Sequence, residues 1–271
     1  MTSEILSRKG ARKIEEIPDE VLELLNQGKI ETVNLTEWLA VDQALLVKNT
    51  FPALGLEETV QPLKEELALQ KKPSTMSSVK LVGEGVYRSS QEKGNTEIIF
   101  QNLSQHSSDT VRCYTPFLIA LNNSYQIEEK LHRLKPLVAD KHFGVREVVW
   151  IAIRPVITQE LNHSIELLSH WTNSEDENIR RFASEVTRPR GVWCKHIESL
   201  KENPDQGLPI LEPLKADSSK YVQDSVGNWL NDASKSQPEF VAQLCDRWQT
   251  ESPTKETAKI VKRARRTIDK R

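Results

Sequence analysis

The 271 residues predict an all-α fold, an α-solenoid of about six HEAT-like helix pairs with a concave groove, and three observations carry that expectation. Apolar residues recur at the three-to-four-residue spacing of amphipathic helices, and no strand-like alternation competes. A hydrophobe that follows an acidic turn recurs at Val111, Val145, Ile179 and Val222, in steps of 34, 34 and 43 residues. Shorter amphipathic stretches at 127–138, 161–171, 208–215 and 239–248 fall between these inner helices. A helix pair at this period is the signature of stacked repeats, each burying its apolar stripe against its neighbours.

Taken in order, residues 1–15 read as a polar, weakly ordered arm. Helical spacing then appears in Val21, Leu22, Leu24 and Leu25, in Leu39 to Val47 and in Leu54 to Leu69. Lys71 to Ser78 (KKPSTMSS) is the clearest loop, and 79–88 returns to helix, with Gly83 and Gly85 weakening it. The chain is expected to form one HEAT-like domain over 1–271. Its densest chemistry lies in RFASEVTRPRGVWCKHI, Arg181 to Ile197. Pro189 lacks an amide donor and restricts Arg188 to extended conformations, so the helix carrying Glu185 ends near Thr187. Gly191 lets the chain turn, and a helix is expected to restart on Trp193. Residues 254–271 read as a basic C-terminal helix.

Composition narrows the classes. The chain is 37% hydrophobic and 28% charged, as in soluble globular proteins. Its longest apolar runs, such as Val148 to Ile153, are far below the roughly 20 residues of a membrane span, and the start has no apolar signal core, so a cytoplasmic protein is expected; a monomer is expected as well. Cys113, Cys194 and Cys245 form no CxxC and favour a reduced compartment without a zinc site. Net charge is only -2 but unevenly spread: residues 1–70 hold 13 acidic and 7 basic side chains, the last 17 hold 8 basic and 2 acidic. The basic end could lie along phosphates or be a solvated terminal helix.

Counting from the aligned hydrophobe, offsets nine and ten read Ala120-Leu121, Arg154-Pro155, Arg188-Pro189 and Asn231-Asp232. Arg154, Arg188 and Asp232 should therefore line one side of a groove. Trp150 falls off the core stripe of Val145, Val148, Val149 and Ala152, between Arg146 and Arg154, where it can face a nucleotide or plug a gap between repeats. Asp232 opposes the dipole of its own helix and shares a stripe with Ser225 and Asn228, which marks it as functional or as a partner of Lys235. Glu185 is flanked by Arg181 and Arg188, so an ordinary ion pair is its alternative. Arg188 and Arg190 either complement a helix end or hold a polyanion, and Trp193 either fills the core or stacks on a base.

The run ASEVTRPRGVW followed by SVGNWLNDASK resembles the HEAT-like repeat DNA alkylation repair glycosylases, the AlkC and AlkD family, and is closer to the AlkC branch. The resemblance covers roughly Asp109 to Arg266. It implies a monofunctional glycosylase that removes cationic alkylbases (3-methyladenine, 7-methylguanine or N3-methylcytosine) from double-stranded DNA, with no cofactor and no metal. It implies Asp232 and Glu185 as the catalytic carboxylates. Trp150, Trp193, Arg146, Arg154, Arg188, Arg190, Asn228, Asn231, Lys262 and Arg263 are the expected DNA contacts. Two positions depart from the family pattern: Val186 stands where it has glycine, and Trp150 where the AlkC branch has glutamate. The alternatives are a non-catalytic HEAT-repeat binder of damaged or branched DNA and a protein-docking HEAT scaffold.

Overall fold

The computed structural model describes residues 3–270; Met1 and Thr2 of the N-terminal arm and Arg271 of the basic tail lie outside the described residues. Helices connected by short turns make up the described chain, with no strand among the described residues. The helical-repeat architecture divides into two compact units, residues 1–125 with 140–152, and residues 126–139 with 153–271.

In the first unit the arm is docked rather than loose. Arg8 donates to both carboxylate oxygens of the buried Glu37, at 2.9 and 2.7 Å, and to the carbonyls of Ile5 and Glu31. A carboxylate 29 residues away was not a feature that local composition could reveal. The expected loop at 71–78 is shorter: Ser74 caps Ser77 reciprocally, and the helix Thr75–Glu92 starts there. That helix runs through Gly83 and Gly85 because a Cβ would collide with Phe117 at the first and Leu63 at the second. The glycines therefore permit close packing, which outweighs their low helix propensity.

The repeat period has a physical carrier. One residue after each aligned hydrophobe, a side chain reaches back to the carbonyls six and five positions earlier. Arg112 donates to His106 and Ser107, Arg146 to Asp140 and Lys141, Arg180 to Ser174 and Glu175, and Gln223 to Asp217 and Ser218. The side chain at the first of those positions in turn accepts an amide two residues on: His106 from Ser108, Asp140 from His142, Ser174 from Asp176, Asp217 from Ser219. Each clasp satisfies carbonyls of the turn that enters an inner helix. Two of them also tie repeats together, as Arg112 binds Asp140 and Arg180 binds Asp217 through paired N–H groups.

Arg146, expected as a phosphate contact, forms one of these clasps through its Nη1. Trp150 is corrected too. It is only 2% exposed, and its Nε1 donates to Glu147 Oε2 at 3.0 Å. Its helix, Phe143–Gln159, is apolar around most of its circumference, so a single core stripe was the wrong template for it.

In the second unit, Ile127–Val138 and Leu161–Trp171 occupy the expected outer positions, and Pro238–Glu251 the last of them. The stretch 208–215 is helical only over Leu208–Leu211. Glu177–Val186 packs on Lys220–Ser234, which packs on Lys255–Arg265. The two Arg-Pro dipeptides behave differently. Pro155 lies inside its helix, where Thr158 Oγ1 donates to the Arg154 carbonyl at 2.8 Å, whereas the helix before Pro189 ends at Val186.

Candidate functional site

The site is built where the helix Glu177–Val186 ends. Ile179, Phe182, Ala183 and Val186 are buried, which fixes the helix and leaves Glu185 in the last turn, on the side of the next inner helix. Beyond the helix, Arg188 folds back. Its Nη1 donates to Glu185 Oε1 at 2.7 Å and its Nε to Asp232 Oδ2 at 2.9 Å, with Nη2 at ion-pair distance, 2.8 Å, from the same oxygen. One guanidinium therefore joins carboxylates carried by two consecutive inner helices.

Both carboxylates are almost fully covered, Glu185 at 4% and Asp232 at 3% exposure. Ser225 donates to Glu185 Oε2 at 2.7 Å and accepts from Ser184 at 2.8 Å. Arg181 stands 3.7 Å from the same oxygen and lies over the Tyr221 ring. Lys235, 42% exposed at its side chain, reaches Asp232 Oδ1 at 3.1 Å. The sequence alternatives for both acids, ion pairs with Arg181, Arg188 and Lys235, are realised in one network. Burial pushes the Glu185 carboxyl up, but Arg181 and Arg188 together with the Ser225 hydroxyl more than offset it, and its pKa lies below the ordinary value. Burial likewise pulls Arg188 down, and the two carboxylates raise it above its usual value. The arrangement is a buried cluster in which two acidic side chains lie between cations, with the Glu185 carboxylate favoured in its charged form.

Arg154 does not join that cluster as a surface cation. It is 2% exposed, and it donates to the carbonyls of Val186 at 2.6 Å, Arg188 at 2.5 Å and Lys195 at 3.2 Å. Burial lowers its pKa, and Arg188 adds to that against Cys194, Glu185 and Asp232. The expected phosphate contact is thus a clamp on a loop. Arg190 binds the Asp232 carbonyl at 3.3 Å and Ser236 Oγ at 2.7 Å, and so complements the end of Lys220–Ser234.

Trp193 starts no helix, against the expected restart, and of its two sequence alternatives it does not fill the core. It sits in the turn at φ 62°, the one non-glycine residue with positive φ among the described residues, and is 59% exposed. The next helix is Glu198–Glu202. A bulky residue in the left-handed region is strained by roughly 1–3 kcal/mol, and such strain gathers at functional sites. Val192, at 51%, is exposed beside it.

The remaining expected contacts face the C-terminal helix. Asn231 is 1% exposed and donates to Ala264 O and Thr267 Oγ1 while accepting from Arg266 Nε. Asn228 accepts from Arg266 at 3.4 Å. The stripe shared with Asp232 predicts Asn228 at the groove and the repeat offset predicts Asn231 there; Asn231 instead packs against the C-terminal helix. Arg263 pairs with Asp224 at 2.6 Å and lies across Gly227, whereas Lys262 is exposed. Ser184 was missed, although its partner Ser225 was on the stripe with Asp232. Among the described residues no group of three His, Cys, Asp or Glu side chains could hold a metal ion.

In Bacillus subtilis (strain 168), the uncharacterized protein YhaZ is 42% identical over 120 residues, 44% of this chain and 33% of that one, so the match spans about a third of its length. Among solved structures, the Pseudomonas fluorescens alkylpurine DNA glycosylase AlkC, bound to DNA containing an abasic site analog, superposes with a TM-score of 0.66 at 25% identity. That superposition covers 96% of this chain but 66% of AlkC, slightly under two thirds. AlkD2 from Streptococcus mutans shares the fold, with a TM-score of 0.60 at 24% identity over 79% of this chain and 99% of its own. Residues 119–265, more than half of the sequence, match the model of the family described as DNA alkylation repair enzyme, and the chain belongs to that family.

Proposed function

We propose that the chain is a monofunctional DNA glycosylase that hydrolyses the N-glycosidic bond of cationic alkylated bases in duplex DNA. The observation that carries this reading is the Glu185–Arg188–Asp232 network, two buried acids on consecutive inner helices, with Arg188 five residues before a strained, exposed Trp193. A purine methylated at N3 or N7 already carries positive charge and leaves without a strong general acid. What remains is to stabilise the oxocarbenium-like deoxyribose and admit water, which a fixed carboxylate does. Asp232 is the principal electrostatic group in this scheme, with Glu185 assisting. Among the described residues the half-exposed Lys235 is the partner of Asp232 Oδ1; when a DNA phosphate takes that ammonium, this oxygen turns to the sugar. Trp193 offers its face to the cationic base.

A second reading, a non-catalytic binder of damaged DNA, is favoured by one observation: Trp150 is buried against Glu147 where the AlkC branch carries a carboxylate. Incubating the protein with methylated duplex and following free 3-methyladenine and 7-methylguanine separates the two. The glycosylase reading expects release by the parent and a loss of about 10² to 10³ in rate for Asp232→Asn, with DNA binding retained. Release that is equal in Asp232→Asn removes its role, and no release by the parent leaves the binder.

A further inference from the structure

A buried arginine whose acceptors are three backbone carbonyls is an expensive way to finish a turn. The carbonyl of Val186 belongs to the last residue of its helix, and such end carbonyls have no partner within the helix. Arg188 and Lys195 bracket the segment that follows. Arg154 thus grips one loop at its root, its near end and its far end simultaneously. The packing leaves no slack on the inner side: a Cβ on Gly191 would fall 3.2 Å from the Arg154 guanidinium carbon and would collide with Cys194 Sγ. One backbone bond, from Ile197 N to Pro189 O at 3.0 Å, closes the base of the same loop.

At the apex stands Trp193, left-handed and mostly in solvent. Exposed as it is, its own packing cannot hold it in that conformation; the constraint has to come through the loop backbone. We propose that Arg154 is the positioning residue for Trp193: its guanidinium fixes the Arg188-to-Lys195 loop so that the indole is presented in its strained conformation, and it contacts no DNA phosphate itself. Lysine keeps the charge but offers a single ammonium in place of a planar fork and cannot span three carbonyls. The inference rests on the reading that Trp193 meets the lesion, and its test separates the two.

Without DNA, trypsin cleavage after the exposed Lys195 reports on the loop. Arg154→Lys should raise it about tenfold over cleavage at other sites while the thermal transition stays cooperative. Gly191→Ala, which intrudes on the same guanidinium, should raise it too and serves if Arg154→Lys does not fold. With DNA, affinity is measured for a duplex carrying an abasic-site analogue and for the same unmodified duplex. Arg154→Lys should weaken the first about tenfold relative to the second. The salt slope of unmodified-duplex binding should not change, whereas loss of a phosphate contact lowers it by about 0.9. In a Trp193→Ala background the lysine should have no further effect. Unchanged proteolysis, a lowered salt slope or additive losses would each overturn the proposal. If the parent binds neither duplex, the glycosylase reading falls while the proteolysis still decides the role of Arg154 in the loop.

Discussion

Arg188 is the residue on which the second unit's electrostatics turn. It carries the positive charge between two acidic side chains that are 4% and 3% exposed, so removing it leaves two buried acids with one partner fewer. Arg188→Met should therefore cost about 3–5 kcal/mol in denaturant unfolding near pH 7. The pH dependence gives the sign. Glu185 has its folded pKa below the ordinary carboxylate value, so its contribution is present above that value and is lost as pH falls through the depressed folded one. The gap between parent and Arg188→Met should narrow on acidification below about pH 4; a gap constant with pH would mean that the loss is packing alone.

Among the elements, the clasps that enter the inner helices make the clearest claim. Arg180 binds two turn carbonyls and, bidentately, Asp217 of the following repeat; its side chain is 14% exposed and that of Asp217 6%. Arg180→Ala should lower stability by about 2–4 kcal/mol, read from the denaturation midpoint at unchanged slope. Equal stability would show that water replaces the side chain. The period itself was legible in the sequence because Val111, Val145, Ile179 and Val222 stand at fixed distances from the same turn. The reason for the period was not legible, since Arg146 and Arg154 as letters look like surface cations. Whether an arginine meets a phosphate or its own chain's carbonyls depends on which way its helix face is turned. For Trp150 the face assignment failed because its helix has apolar neighbours on several sides. Glu185, Arg188 and Asp232 were found because Pro189 fixes a helix end, and a stripe can be counted from Val222. Trp193 stands out in the sequence for its chemistry, but its left-handed backbone leaves no trace in composition.

At the scale of the whole molecule, charge is sorted along the chain rather than balanced locally. The acidic start contrasts with the exposed Lys255, Lys259, Lys262 and Arg266, which follow one another on a single stripe of the last helix and its end. No described helix is long and apolar enough to cross a membrane. If the stripe lies along a duplex, a log–log salt titration should show a slope about 0.9 smaller for Lys262→Gln, with specificity unchanged. An identical slope would assign that stripe to solvent.

The clasps also bear on how such a chain can vary over evolutionary time. Each one spans only the seven residues from its turn to its own arginine or glutamine, as Asp217 to Gln223 does, and so carries its geometry with it wherever the segment is moved. The stretch between Thr187 and Ala216 belongs to no clasp. It holds the lengthened third step, the short helix Glu198–Glu202 and the loop of Trp193. There the chain is held at points rather than by a clasp, by Arg154 on the carbonyls of Arg188 and Lys195 and by Arg188 on Glu185 and Asp232, so a change of length is confined to the segments those points leave free and leaves the entry of the next helix unaltered.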